Sequence, residues 1–374
     1  ATTEIYTLSL HDALPIYLQY NPAAGSVQKE SQISLFHNSW IADSKMETLA
    51  FTTRLKKLSD FAFGTYISCF YLPFSEYNLF GEKTAESYYS ETTACLNFSY
   101  NFLSGYDFKG LALGANLKTS FRSVPNYTDN DSNEIIIGSG LSQSGLAFLG
   151  DFGLLLQFNF LKFYASREPN LRLGLCLKNA GFGITGFGEE LTKDDELPTS
   201  LNAGLSVKLI KPFLLSLEYS QPLNFSNFSL TSYPYLGGGF EIQFNSYISL
   251  LAGFAMKGGN PRFSTGFEFE YEKIKFNMNY TLDFTSSTAP LNRMSLSLKI
   301  LLGDKGRSIT EKKVDEYYSQ GLSYYSEGQW EKAIELWQEV LKLNKRFDPA
   351  ILGIKTAKLQ LEMFENIKKS LMLE

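Results

Sequence analysis

Between Ile274 and Ile300 the chain keeps a two-residue hydrophobic rhythm over two long stretches, and few folds can absorb that. Ile274, Phe276, Met278, Tyr280, Leu282 and Phe284 alternate with Lys275, Asn277, Asn279, Thr281 and Asp283. After a break at 285–290, Met294, Leu296, Leu298 and Ile300 alternate with Arg293, Ser295, Ser297 and Lys299. Side chains of a strand point to opposite faces in turn, so each run has one greasy and one wet face. Each run is about ten residues long, where strands of soluble proteins usually have about five or six. A tilted strand needs about nine to eleven residues to cross a bilayer. The pair reads as the closing hairpin of a transmembrane β-barrel.

The same rhythm recurs along the chain. Strands are expected at 31–38, 46–55, 60–72, 90–103, 107–121, 146–158 and 168–180. Seven more are expected at 198–210, 211–222, 234–244, 246–257, 260–271, 273–284 and 290–301. Fourteen is an even number, as in single-chain bacterial barrels. Leu171, Leu173, Leu175 and Leu177 oppose Arg172, Gly174, Cys176 and Lys178, and Leu111, Leu113, Ala115 and Leu117 oppose Ala112, Gly114, Asn116 and Lys118. Ile248, Leu250, Ala252, Phe254 and Met256 share one face.

Link lengths give a separate test, because such barrels have short turns at one rim and longer loops at the other. The long links, 73–89, 122–145, 181–197 and 223–233, all fall on one side. The short ones, at 56–59, 104–106, 210–211, Asn245 and Glu272, fall on the other. The links 159–167 and 258–259 fit poorly. A basic residue on the lipid face at mid-membrane costs about 2–4 kcal/mol. Lys118, Arg172, Lys178, Glu268, Glu270, Lys275, Asp283, Arg293 and Lys299 all oppose the apolar set of their strand, and are the candidates for the lumen. The alternative is a soluble β-sandwich with these charges on its wet face; strand length and loop sorting favour the barrel.

Composition agrees. Aromatic residues make up 15%, with 31 Phe and 22 Tyr beside 29 Gly, as strands, tight turns and interfacial girdles use. A net charge of −5 argues against a nucleic-acid surface. No run of about eighteen apolar residues exists, which excludes a transmembrane helix and says nothing against a barrel. Cys69, Cys95 and Cys176 have no metal-ligand spacing and read as small wall residues; neither a metal nor a cofactor is expected. His11 and His37 are the two histidines, and neither accompanies a recognisable nucleophile, so an enzyme is not expected. His37 reads as an ordinary rim or loop residue.

Both ends depart from the strand rhythm. Residues 3–16, TEIYTLSLHDALPI, resemble translated sequencing adapter and show neither the basic nor the apolar region of a signal peptide. Such residues would carry no information about the fold, the alternative being a native first strand. Residues 17–30 include a turn-like element, where Pro22 fixes φ and pushes Asn21 from the helical region. From Ser308 the period becomes helical, with helices expected at 310–327 and 330–343 around Gly328. Tyr317, Gly321, Tyr324, Gly328, Trp330, Ala333, Trp337 and Leu341 look like one tetratricopeptide repeat, departing from its pattern at Gln320 and in a late Pro349. Asp348-Pro349 opens a third helix running towards Leu373. Stacked repeats need about three units for independent stability. The tail at 308–374 is therefore expected to dock on a neighbour or bind a partner, the alternative being a plain helical hairpin.

NPAA at 21–24, GLALGANLK at 110–118, LRLGLCLKNAG at 171–181, LPTSLNAGLSV at 197–207 and SLSLKILLG at 295–303 together resemble outer-membrane barrels of the FadL type and the PorV/PorQ type. The resemblance spans 17–303. It implies a fourteen-stranded barrel with an N-terminal hatch in the lumen, of which Asn21, Pro22 and Ala23 would be part. It also implies passive diffusion of long-chain fatty acids or other hydrophobic molecules. The expected architecture is thus a hatch remnant at 17–30, a barrel at 31–303 and a helical tail at 308–374. The barrel would sit among lipid in the bacterial outer membrane. With an even strand count both barrel ends and the tail face the periplasm, where the tail could recruit a protein. The second expectation is a structural or secretion-associated barrel of the PorV kind.

Overall fold

The computed structural model describes residues 17–371 apart from 56–59, 79, 104, 106–107, 127–139, 141–142, 165, 167, 186–191, 194–196, 225–228, 231 and 284–291. Residues 3–16 and Phe284 lie outside the described residues. Two units result: the barrel with its N-terminal segment, and a helical unit of 303–374 to which 103–110 also belongs.

The barrel strands are β1 (Ser31–Ser39), β2 (Lys45–Arg54), β3 (Phe61–Tyr77), β4 (Lys83–Phe102) and β5 (Leu111–Ser123). Then come β6 (Gly145–Phe158), β7 (Leu171–Thr185), β8 (Thr192–Lys193), β9 (Ser200–Ile210) and β10 (Phe213–Pro222). The last are β11 (Tyr235–Gln243), β12 (Ile248–Lys257), β13 (Asn260–Tyr271), β14 (Ile274–Asp283) and β15 (Arg293–Gly303). The described pairings are antiparallel, β1 adjoins β15, and β6 pairs β7, which pairs β9, so the sheet closes on itself. Of fifteen strands, β8 lies outside the ring and extends the end of β7, leaving a closed fourteen-stranded wall.

Alternation decides which face is wet. On β7, Gly174, Cys176 and Lys178 are buried while Leu175 is 50% exposed. On β14 and β15, Asn277, Asn279, Thr281, Arg293, Ser295, Ser297 and Lys299 are buried, whereas Ile274, Tyr280, Leu282 and Ile300 are exposed. In a closed cylinder the buried class is the interior. The apolar class forms an outer surface that water solvates poorly and hydrocarbon solvates well.

One long link expected from the sequence is not a loop. Through 73–89, β3 and β4 stay paired from Pro73↔Tyr88 to Tyr77↔Lys83, and the turn shrinks to 78–82. The Asn78 side chain shapes that turn by accepting from the backbone N–H of Phe80 and Glu82 at 3.0 and 2.9 Å. Ser75, Glu82, Lys83, Glu86 and Ser87 are polar without a period of two, as a hairpin wet on both faces allows, so the pattern carried no strand signal. Similarly β7 runs to Thr185, into the expected 181–197 link. Cys69, Cys95 and Cys176 are free thiols in the wall.

The helical unit has α1 (Arg307–Ser326), α2 (Trp330–Leu343) and α3 (Asp348–Leu371). The first begins three residues earlier than expected. The Asp304 carboxylate accepts from the Ser308 hydroxyl and from the N–H of Ser308 and Gly306, which holds its pKa down to about 2 and caps α1. Trp337 is the centre of the unit. Its Nε1–H donates to the Tyr318 carbonyl at 3.3 Å, and its ring lies between glycines of the two other helices. A Cβ added at Gly321 would sit 2.4 Å from Trp337 Nε1, and one at Gly353 2.9 Å from its six-membered ring. Ala333 is buried beside Trp337, Tyr317, Tyr324 and Trp330 pack against this cluster, and Gly328 makes the turn with φ 77°.

Replacing Leu175 on the outer face with Arg is expected to destabilise the barrel by about 2–4 kcal/mol, read as a lower urea midpoint for unfolding from lipid vesicles.

Candidate functional site

Residues 17–30 enter the barrel. Tyr17–Gln19 and Pro22–Val27 form short 3₁₀ helices, and Tyr17, Leu18, Asn21, Ala23, Ala24 and Ser26 are nearly inaccessible. Local chemistry shapes the second turn. Asn21 is extended at φ −143°, its side-chain oxygen accepts from Ala23 N–H at 3.0 Å, and Pro22 opens the helix where a missing N–H costs nothing. Leu18 and Ala24 pack with Phe36, Ala50, Tyr66 and Cys95, and Ala23 packs with Ala112 and Leu155.

The wall is hollowed where this hatch lies. Gly114 on β5 is in register with Gly153 on β6, and Gly153 with Cys176 on β7. A Cβ at Gly114 would sit 2.2 Å from the Pro22 carbonyl carbon, and one at Gly153 2.1 Å from Asn21 Oδ1. Only glycine lets the hatch backbone come this close.

One row further along the strands, three polar side chains hold the hatch. Asn97 on β4, Asn116 on β5 and Asp151 on β6 are successive partners across the sheet, and all are fully buried. Asn97 Nδ2 donates to the Pro22 carbonyl at 2.9 Å and to Asn116 Oδ1 at 2.8 Å. Asn116 Nδ2 donates to the Leu18 carbonyl at 2.9 Å and to Asp151 Oδ2 at 2.8 Å. From the hatch side, Asn21 Nδ2 donates to the Leu154 carbonyl at 3.0 Å. Asp151 is steadied by Lys118 at 2.6 Å and by Asn179 N–H at 2.8 Å. Asn179 has φ 56°, and the β6–β7 register slips between Gly150 and Phe152, which marks a bulge. Beside it, Lys178 lies over the Tyr20 ring of the hatch, 5.0 Å from the centroid.

The lumen candidates thus fall into groups. Lys118 and Lys178 belong to the hatch latch. Arg172, Glu268, Glu270, Lys275 and Lys299 line one cavity of 460 Å³ towards the short-turn rim, together with Val27, Gln28, Lys29 and Glu30 of the hatch segment. The 159–170 link, long for its rim, supplies Glu168 and Pro169 to that cavity, and Glu168 pairs with Lys29. Arg293 is buried with its guanidinium 6.0 Å from the Trp40 ring. The side chain of Asp283 lies outside the described residues. His37 pairs with Glu47 at 2.6 Å, with both side chains partly exposed. Among the described residues no cluster suits a metal ion. Taken one at a time, Asn97, Asn116 and Asp151 do not stand out in the sequence. Their signal was a polar residue opposite the apolar set in three successive strands, with glycine two positions away in two of them.

A plug held by side chains inside a closed fourteen-stranded wall defines a hatch-bearing β-barrel. The model of the "Uncharacterised protein family (UPF0164)" matches residues 10–305, and the chain belongs to that family. The match begins inside 3–16, and an adapter origin for that segment is not confirmed. A tetratricopeptide-repeat model matches 314–347. One UPF0164 protein of Treponema pallidum (strain Nichols) is 27% identical over 360 residues, covering 94% of this chain and 78% of that protein. Another from the same organism is 22% identical over 374 residues, covering 94% and 72%. In structure the chain is similar to the Pseudomonas putida toluene transporter TodX, with 14% identity, TM-score 0.50 and coverage of 79% of this chain and 97% of that one. It is also similar to the CymD monoaromatic hydrocarbon channel, with 14% identity, TM-score 0.50 and coverage of 77% and 93%. These likenesses establish the fold.

Replacing Gly114 with Val is expected to unseat the hatch. In a Ser26→Cys background, maleimide should label the introduced thiol slowly while Gly114 is present. Adding Gly114→Val should make that labelling at least about tenfold faster, because a buried site reacts only when opened.

Proposed function

We propose that the protein is a passive transporter of the bacterial outer membrane that admits hydrophobic or amphipathic small molecules, long-chain fatty acids being the first to test. The observation that carries this is the latch. Beside its apolar packing, the hatch is fastened to the wall by side-chain amides that reach carbonyls across the gap in both directions, which suits a stopper that can be withdrawn. At a net of about 0.5–1.5 kcal/mol per hydrogen bond, the three amide contacts from Asn21, Asn97 and Asn116 amount to about 1.5–4.5 kcal/mol; the burial of Leu18 adds about 1.5–3 kcal/mol, and a solute must offset both by binding the opened state better. The apolar outer face supports a membrane location, reached through strands, since no described helix is long and apolar enough to cross. The fold shared with a toluene transporter supports a hydrophobic cargo. The wall of β14 and β15 faces the lumen with Asn277, Asn279, Thr281, Ser295 and Ser297, which favours an amphiphile over a plain hydrocarbon. Labelled long-chain fatty acid should enter cells bearing the protein faster than cells with an empty vector; equal uptake would remove the reading.

A second reading, a structural barrel whose periplasmic tail recruits a protein, is favoured by one observation. On α3, Leu359, Met363, Ile367 and Leu371 are exposed at helical spacing in a unit with one repeat. In-cell crosslinking should then capture a periplasmic protein with the full chain, and none when 308–374 is deleted.

A further inference from the structure

The hatch leans on the wall of β1 to β7, and the 460 Å³ cavity lies between its last residues, 27–30, and the wall that runs on from β7 through β9 to β15. Its volume is in the usual range for small-ligand sites, about 300–1,000 Å³. Ten charged residues line it, five basic and five acidic, and their order around the wall is not mixed. Glu241 on β11 and Glu268 and Glu270 on β13 form an acidic arc. Lys275 and Lys299, opposite each other on β14 and β15, flank it on one side. Arg172 on β7 and Lys208 on β9 flank it on the other. The remaining charges, Lys29, Glu30 and Glu168, lie at the hatch side, where Lys29 and Glu168 pair with each other.

We infer that this cavity binds a dipolar group, with a cationic end against the acidic arc and an anionic end against a basic flank. The inference rests on the transport reading and narrows its cargo to molecules with a zwitterionic head. A bare carboxylate or a bare ammonium would meet as many like charges as opposite ones, and a hydrocarbon would desolvate the charged wall for no return. Lys275 and Lys299 are like charges directly opposed across two strands, and the Glu270 carboxylate beside Lys275 offsets part of their repulsion. Glu270, 2.8 Å from Lys275, marks the seam between the arc and its flank. A dipolar group laid across that seam meets a complementary charge at each end.

The head could belong to a free solute or to a lipid, and calorimetry on the full chain in a non-ionic maltoside detergent separates them. Phosphocholine, glycine betaine and dihexanoyl phosphatidylcholine are titrated beside choline alone and phosphate alone. Saturable binding of phosphocholine is expected, with choline and phosphate each much weaker. Tighter binding of the dihexanoyl lipid would assign the head to a lipid, and equal binding to a free solute. Glu268→Gln with Glu270→Gln, and separately Lys275→Gln with Lys299→Gln, should each weaken phosphocholine by about tenfold or more. Heat-shifted gel mobility reports whether these variants close their barrels, and Glu241→Gln, at a half-buried position, serves on the acidic arc if they do not. No saturable heat with any dipolar probe, an unchanged affinity in variants that fold, or equally tight binding of choline or phosphate overturns the inference. Fatty-acid uptake without phosphocholine binding would sink the dipolar site alone, and phosphocholine binding without uptake of either labelled fatty acid or a labelled phosphocholine lipid would sink the transport reading alone.

Discussion

The ladder of backbone hydrogen bonds has no end, and every other feature of the barrel depends on that. In hydrocarbon an unpaired N–H or C=O has no water to turn to, so a sheet can face lipid only if its first and last strands meet. The meeting of β1 with β15, together with the β6–β7–β9 continuity, removes both edges. Closure then assigns the two faces of every strand, and a single rhythm of alternation serves the whole circumference.

The interior uses different physics. The outer face is held by bulk solvation and tolerates any aliphatic side chain, whereas the hatch is held by directed bonds and by shape. The side-chain amides of Asn97 and Asn116 each donate one N–H to the hatch backbone and the other to the next member of their row, so the hatch is fastened to a network and not to isolated residues. Gly114 and Gly153 supply the matching hollow. The helical unit uses the same device, where Gly321 and Gly353 make room for the Trp337 ring.

Much of this architecture could be read directly from the residues, for a physical reason. Leu171 to Leu177 and Ile274 to Ile300 must alternate if one face meets lipid, so strand, face and rim were visible together. Where the hairpin of β3 and β4 rises beyond that constraint, both faces can be polar and the rhythm vanishes, which hid 73–89. The latch was invisible for another reason. Asn97, Asn116 and Asp151 are unremarkable singly and become a row only once three strands are in register. The charges oppose the apolar set of their strands in the sequence, but which of them share a cavity depends on curvature, which no linear pattern carries.

The hatch stands ahead of β1 in the chain, and the strands it leans on, β1 to β7, all precede β9. The bonds and packing described for the hatch therefore fall on one half of the ring, and β9 to β15 form the half across the lumen from it. Because its bonds run through side chains and not through the ladder of the sheet, the hatch can come loose without parting the seam between β1 and β15.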